Sequence, residues 1–328
     1  MISTMMQLKI MTQIIENDPP MAQNAISSYI PHKALIAGMA SIATVLVLIL
    51  MKAVMFMLSD SASVLASLMD SMADVTVSVM TYFAIRFSLK PPDDNHRSGH
   101  GKIEGLAALF QAFLIMLAGL ALLWESISRL LNPHPIEYPE LAIAVMLVSI
   151  VLSVVLVRIQ SRVLKEAPSL AVEADQAHYA TDIIVNAGVI VVLMAIMAGA
   201  PLWIDGLFAV FVVGYLGWAA KGIAKLGLDM LLDSELPETI RQAIRDKVLA
   251  HPQALDMHDL RTSKSGMRIF ISFDLEVDGD MKLTDAHNIA RNVEYDLLRD
   301  FPHAEIMIHI DPHGDTDDTR HIKVGHKL

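Results

Sequence analysis

Two short stretches decide the fold and the chemistry of this chain: Asp70-Ser-Met-Ala-Asp74 and His178-Tyr-Ala-Thr-Asp182. Both lie inside long apolar segments, and each places two candidate metal ligands four residues apart. Residues at this spacing share one face of an α-helix, so two packed helices would bring four such side chains together. Ionisable residues inside a membrane span are rare and are functional candidates by default. The two stretches therefore form the two halves of a candidate metal site, provided that their segments span a membrane.

The composition is that of a polytopic membrane protein. The chain has 328 residues, 54% of them hydrophobic, and its mean hydropathy is +0.47, which is too apolar for an ordinary soluble protein. A net charge of −11 and the lack of a Lys/Arg-rich run argue against nucleic acid as a partner. Cysteine is absent, so a metal site must use His, carboxylates, carbonyls or water, and this donor set favours zinc, iron(II) or manganese over copper(I).

Six apolar segments are long enough to cross a bilayer at roughly 20 residues per crossing. Polar and Pro-containing breaks separate them, as at Pro91-Pro92. Basic residues are concentrated in alternate loops, so the positive-inside rule predicts that both termini are cytoplasmic. The predicted spans are residues 34–58, 61–89, 103–131, 140–164, 169–199 and 202–228.

The two ligand pairs should meet inside the membrane. At a rise of about 1.5 Å per residue, Asp70 of the second span is level with Asp182 of the fifth, and Asp74 is level with His178. Three carboxylates and one imidazole suit a tetrahedral divalent site. Such ligands bind metal in their deprotonated forms, so this site would exchange a metal ion for protons, with His178 as a natural proton carrier near neutral pH.

The composition turns polar after Asp233, which indicates a second, soluble domain. Its order, αββαβ, predicts an α+β fold of the ferredoxin-like kind, with the helices on one face of a small sheet. The predicted helices are residues 237–250 and 284–301, and the predicted strands are residues 258–263, 267–277 and 304–310. The predicted domain limits are 1–32 for a flexible cytoplasmic tail, 33–232 for an all-α six-helix transmembrane domain, 233–311 for the cytoplasmic domain and 312–328 for a second flexible tail.

The chain resembles the cation diffusion facilitator family, and within it the bacterial zinc and ferrous-iron efflux transporters. The resemblance rests on the six spans, on the two ligand pairs in the second and fifth, on the cytoplasmic αββαβ domain, and on the run Pro92-Asp-Asp-Asn-His-Arg-Ser-Gly-His-Gly-Lys102. It implies a transporter and not an enzyme: a homodimer in the bacterial inner membrane that exports Zn²⁺, and also Fe²⁺ or Cd²⁺, against protons by alternating access. The implied transport ligands are Asp70, Asp74, His178 and Asp182.

The resemblance also implies two further metal sites and one charge pair. The first site lies in the loop after the second span, and the second lies between the subunits in the soluble domain, where Zn²⁺ would have a structural role. Asp274 stands where similar proteins commonly have a histidine. An oxygen ligand then replaces a nitrogen ligand, so the second site favours harder metal ions. Lys102 and Asp233 would tie the two domains together. The implied ligands are Asp93, His96 and His100 in the loop, and His258, Asp274, His287, His309 and Asp311 in the soluble domain.

Two other classes of function stay open. An intramembrane metalloenzyme needs an open water position and a general base, yet the chain has no His-Glu-x-x-His motif and four protein ligands would close the coordination shell. A membrane metal sensor or scaffold would bind ions without moving them.

The donor set also leaves the metal open among Zn²⁺, Fe²⁺, Cd²⁺ and Mn²⁺, although one histidine favours zinc or iron over manganese. The tail histidines, expected to be loose, are His313, His321 and His326.

Overall fold

The structure is a computed structural model that describes residues 21–59, 62–131 and 138–314. Within these ranges it does not describe the side chains of residues 21–32, 58–59, 62–67, 69, 70, 73 and 129. The chain divides into two compact units, Met1–Gly227 and Leu228–Leu328.

Long apolar helices build the first unit. Among the residues that the structure describes, five of these helices are long and apolar enough to cross a membrane. The sixth carries Asp70, Asp74 and Arg86. The predicted helical transmembrane domain is therefore confirmed. In chain order the helices are α1 (Met21–Ser59), α2 (Ala62–Ser88), α3 (Ile103–Leu131), α4 (Pro139–Leu164), α5 (Leu170–Met197) and α6 (Trp203–Leu231).

Helix α1 begins earlier than the sequence predicts. It starts at Met21, whereas the predicted span starts at residue 34 and a flexible tail is expected before it. The later predicted start depends on Pro31, which removes one backbone N–H donor but does not end the helix here. The helix propensity of Met21, Ala22, Gln23 and Ala25 is high and favours this earlier start. The other five predicted spans agree with the helices to within a few residues.

Helix packing brings the two ligand-bearing segments together. Helix α1 packs along α2, α4 packs along α5, and α2 contacts α5. A buried cluster of three hydroxyl groups joins α1, α2 and α5: Ser78 Oγ lies 3.0 Å from Ser41 Oγ and 3.1 Å from the Tyr179 hydroxyl. Hydrogen bonds of this kind hold helices together in an apolar environment, so they fix α5 against α2 one residue away from His178.

The second unit contains α7 (Glu238–Leu249), β1 (Asp256–Ser265), β2 (Arg268–Val277), α8 (Leu283–Asp300) and β3 (Ala304–Pro312). The strand order is β1-β2-β3, with β1 antiparallel and β3 parallel to β2. Ile244, Phe273, Leu275 and Leu297 are at most 2% exposed and form the centre of the core between the helices and the sheet. The predicted α+β domain is confirmed. Strand β1 is longer than predicted because its pairing with β2 continues to the turn at Gly266, where φ is 61°.

Candidate metal centre

Asp74, His178 and Asp182 meet between α2 and α5. His178 Nε2 lies 3.2 Å from Asp74 Oδ1 and 3.6 Å from Asp182 Oδ2. The side chains of Asp74 and His178 are 19% and 15% exposed. One imidazole nitrogen thus faces two carboxylates, and a proton or a metal cation at this point would relieve the repulsion between them. The structure therefore brings three of the four predicted ligands together, and the side chain of the fourth, Asp70, lies outside the described residues.

A buried carboxylate on α3 fixes the beginning of α5. Glu104, in the first turn of α3, is 1% exposed. It accepts hydrogen bonds from Ser88 Oγ at 2.6 Å, from Ser169 Oγ at 2.7 Å and from the backbone N–H of Ala171 at 3.2 Å. Because Ser169 caps α5, Glu104 meets the partial positive charge of that helix end. The position of His178 along α5 is thereby tied to α2 and α3.

Two buried polar pairs lie in the same unit, and neither was among the predicted site residues. Gln160 Nε2 on α4 donates to Asp175 Oδ2 on α5 at 2.7 Å, and both residues are 0% exposed. Lys52 on α1 is 6% exposed and donates to Ser71 Oγ at 2.6 Å. Asp175 could have been found from the sequence, because a residue three positions before His178 lies on the same face of the helix.

The loop between α2 and α3 holds a second cluster, made of Asp93, His96 and His100. One ligand atom from each lies within 4.8 Å of the others. Asp93 Oδ1 lies 3.1 Å from His96 Nδ1, and Asp93 Oδ2 lies 3.3 Å from His100 Nε2. The backbone N–H of His96 donates to Asp93 Oδ1 and lowers the pKa of that carboxyl. All three residues predicted for the loop site are therefore together, and their mixed N and O donors suit a divalent ion.

A third cluster lies on the sheet of the second unit. The strand register aligns His258 of β1 with Asp274 of β2, and Asp274 with His309 of β3. His258 Nε2 lies 3.7 Å from Asp274 Oδ2 and 3.6 Å from Asp311 Oδ2, while His309 Nε2 lies 3.1 Å from Asp311 Oδ1. His287 is exposed on α8 and belongs to no metal-ligand cluster among the described residues. Four of the five predicted residues are thus close together.

Glu276 extends this third cluster and was not predicted. Its Oε1 lies 3.2 Å from His258 Nδ1, and its Oε2 lies 2.7 Å from His313 Nδ1. The expectation that His313 is loose is therefore wrong, and His321 and His326 lie outside the described residues. The alternation of a strand was the available signal, since Glu276 follows Asp274 by two positions and so lies on the same face.

The predicted charge pair joins residues of different units. Lys102 precedes α3 in the first unit, and Asp233 follows α6 in the second. Asp233 has a left-handed backbone conformation, with φ of 54°. The pairing of Lys102 with Asp233 stays a prediction.

Comparison with known proteins identifies both units. A model of the cation efflux transmembrane domain matches residues 38–232, and one of the cation efflux protein, cytoplasmic domain, matches residues 236–313. The cation-efflux pump FieF of Shewanella oneidensis is 43% identical over 277 residues, which are 84% of this chain and 93% of that protein. FieF of Salmonella arizonae is 37% identical over 278 residues, 84% of this chain and 92% of that protein.

One similar solved structure is the metal-bound C-terminal domain of the CzcD transporter from Thermotoga maritima. The two sequences are 28% identical, and the match covers 25% of this chain and 100% of that domain, with a TM-score of 0.23. The two family models together extend over almost all of the described residues. The chain therefore belongs to the cation efflux family, the cation diffusion facilitators, and is an integral membrane protein similar to the FieF pumps.

Proposed function

We propose that this chain exports Zn²⁺ from the cytoplasm in exchange for protons, as a homodimer in the bacterial inner membrane with both termini in the cytoplasm. Fe²⁺ and Cd²⁺ are further substrates in this proposal. Membership of the cation efflux family supports efflux of a divalent metal cation. The observation that carries the finer proposal is the approach of His178 Nε2 to Asp74 and Asp182, at 3.2 and 3.6 Å, between two membrane helices.

The ligand types favour zinc. A neutral imidazole nitrogen and carboxylate oxygens are ordinary zinc ligands, and four of them complete a tetrahedron. We assign the fourth position to Asp70, which lies one helical turn before Asp74 on α2. Iron(II) and cadmium are compatible with the same donors, whereas a site of oxygen ligands alone would suit manganese better.

The same ligands would carry protons in the opposite direction. Each must lose its proton to bind the metal, so metal release outside is favoured when protons replace the ion. The two halves of the site are on different helices, α2 and α5, so a relative movement of these helices would change its access from one side to the other. Alternating access around a fixed site near the membrane midplane is the general scheme of secondary transporters.

The cytoplasmic clusters would bind metal without transporting it. We assign transport to residues 33–232, and dimerisation and metal binding to residues 233–311. In this assignment His258, Asp274, His309 and Asp311 hold a structural ion, and His287 reaches the same site from the partner subunit. The loop cluster is a separate cytoplasmic site, and the pair Lys102–Asp233 ties the two domains together.

Metal uptake into proteoliposomes tests this proposal. Purified protein is reconstituted, a pH gradient is imposed, and uptake of Zn²⁺, Cd²⁺, Fe²⁺ and Mn²⁺ is measured for wild type, Asp182→Ala and Glu173→Gln. Glu173 is an exposed carboxylate on the same helix, so it is a matched control. We expect zinc uptake that follows the proton gradient in wild type and Glu173→Gln and that is lost in Asp182→Ala. Metal binding without flux in wild type would instead favour the sensor or scaffold.

A further inference from the structure

Asp175 and Gln160 form a buried polar pair between α5 and α4. Both side chains are 0% exposed, and Gln160 Nε2 donates to Asp175 Oδ2 at 2.7 Å. Asp175 lies three residues before His178, about one helical turn towards the beginning of α5. The pair is therefore close to the transport ligands but is separate from them.

One side-chain oxygen of Asp175 and the side-chain oxygen of Gln160 take no part in the hydrogen bond between these residues. Asp175 Oδ1 and Gln160 Oε1 are both buried, and neither has a close hydrogen-bond partner among the described residues. The Ser41 hydroxyl on α1 also faces the Asp175 carboxyl group, but its Oγ already lies within hydrogen-bond distance of Ser78 and Tyr179. Asp175 Oδ1 and Gln160 Oε1 are both acceptors when the carboxyl group is ionised, so they cannot bond to each other in that state. Burying two unsatisfied acceptors, one of them charged, carries a substantial free-energy penalty.

A single proton removes this penalty for both atoms. With a proton on Oδ1, the neutral acid donates O–H to Gln160 Oε1 while Gln160 Nε2 continues to donate to Oδ2. A primary amide and a carboxylic acid have complementary donors and acceptors for such a two-bond pair. The result is a closed pair with no unsatisfied atom and no buried charge.

The surroundings offer Asp175 no dedicated cation. Among the described residues it makes no ion pair with Lys or Arg. His178 is the basic group that interacts electrostatically with Asp175, but its Nε2 already lies beside Asp74 and Asp182. On α3, Gln111 Nε2 bonds to the carbonyl of Ala174 instead. The groups that face Asp175 are His178 and Tyr179 on its own helix, Asp74 on α2, Ser41 on α1 and Gln160 on α4.

We propose that Asp175 and Gln160 are a proton-binding site one helical turn from the transport ligands, in which Asp175 carries a proton on Oδ1 and donates it to Gln160 Oε1. In the metal-free protein Asp175 then adds no negative charge to the site, and two hydrogen bonds hold α5 to α4 beside His178. This proton is additional to the protons of the transport ligands. Its presence does not depend on the proposed function, and only a role for it in antiport rests on that proposal.

Infrared spectroscopy of the purified, metal-free full chain tests the proton. The spectrum of Asp175→Asn is subtracted from that of wild type, so the carboxyl groups of the transport ligands cancel. We expect a carbonyl stretch of a protonated carboxyl group that is lost in Asp175→Asn. Asparagine can donate N–H in place of O–H and keep both hydrogen bonds, so this variant should fold. If it cannot be purified, Asp175→Leu supplies the same subtraction. A difference spectrum without the protonated-carboxyl stretch would overturn the proposal.

A second pair of variants tests the partner. Gln160→Leu removes the acceptor of the proposed O–H bond and should shift the band. Gln176→Leu is the matched control, because Gln176 also joins α5 to α4 but bonds to Val157 and Ser161. A band that stays in place in Gln160→Leu would overturn the pairing with Gln160.

These spectra require no transport, so the two proposals can fail separately. The band together with no proton-coupled zinc flux would retain the proton site and reject the antiporter. Zinc and proton flux without the band would retain the antiporter and reject the proton site.

Discussion

His178 Nε2 lies 3.2 Å from Asp74 Oδ1, although 104 residues separate them in the chain. The contact exists because α2 and α5 pack together at matching positions. A second carboxylate, that of Asp182, lies 3.6 Å from the same nitrogen. Single substitutions in this cluster should therefore change metal binding far more than changes of equal charge elsewhere on the same helices.

Asp74→Asn should weaken zinc binding at the transport site by about 100-fold or more, since even residues that only support metal ligands contribute about 10–100-fold. The amide keeps the size of the side chain but loses the charge and basicity of a carboxylate. Affinity is measured by competition with a chelating dye, in a background of His96→Ala and His258→Ala that disrupts the loop cluster and the sheet cluster. Glu173→Gln is the control for lost charge, and equal affinities in the two variants would contradict the assignment.

His178→Asp should move the preference of the site from zinc towards manganese. The change replaces the only imidazole with a fourth oxygen ligand, and sites of oxygen ligands suit Mn²⁺. The measurement is the ratio of manganese to zinc uptake in proteoliposomes, compared with wild type. A ratio that does not rise would show that His178 does not select the metal.

Zinc affinity at the transport site should fall as the pH falls. In the proposed site, Asp74, His178 and Asp182 would bind metal in their deprotonated forms, so protons would compete with the ion and each bound ion would release protons. Calorimetry in buffers with different ionisation enthalpies gives the number of protons released, again in the His96→Ala and His258→Ala background. Release of no protons across the range around neutral pH would contradict proton exchange at this site.

Most of the transmembrane architecture can be predicted from the sequence because each span is long and apolar. Asp74, His178 and Asp182 can be predicted because four-residue spacing and depth depend only on helix geometry. The fourth ligand, Asp70, follows from the same spacing and stays a prediction.

Side-chain pairs that depend on packing between elements were harder to foresee. Asp175 pairs with Gln160 only because α4 and α5 pack in one particular rotation. Glu276 reaches His313 because β3 runs in register with β2 as far as Pro312 and the His313 N–H then donates to the Val277 carbonyl. Helix α1 begins before Pro31, where a local rule about proline favours a later start.

Asp274→His should strengthen zinc binding in the cytoplasmic domain. Asp274 is paired in register with both His258 and His309, so an imidazole there would add a nitrogen ligand to a site that now has an oxygen. Zinc bound per protomer is counted in the full chain at limiting free zinc. Asp278→His places a histidine at an exposed position just after β2 and is the control. Equal zinc retention by the two variants would argue against the site.

Gly227→Ala should destabilise the transmembrane unit by about 1–3 kcal/mol, the usual result of overpacking. A Cβ atom at Gly227 would lie 2.8 Å from the carbonyl oxygen of Gly105 and 3.1 Å from Leu109 Cγ. Gly222→Ala is the matched control on the same helix, because its Cβ meets nothing within 4 Å. The midpoint temperatures of thermal unfolding of the two variants are compared in detergent. Equal midpoint temperatures would contradict the close approach of α6 to α3.

The decisive measurement is proton movement driven by zinc alone. Proteoliposomes contain a pH-sensitive dye and a zinc-sensitive dye, start with equal pH on both sides, and receive a zinc gradient. For wild type and Glu173→Gln we predict zinc entry accompanied by proton exit, and for Asp182→Ala we predict neither. Zinc entry without proton movement, or the same two fluxes in Asp182→Ala, would contradict metal–proton exchange at Asp74, His178 and Asp182.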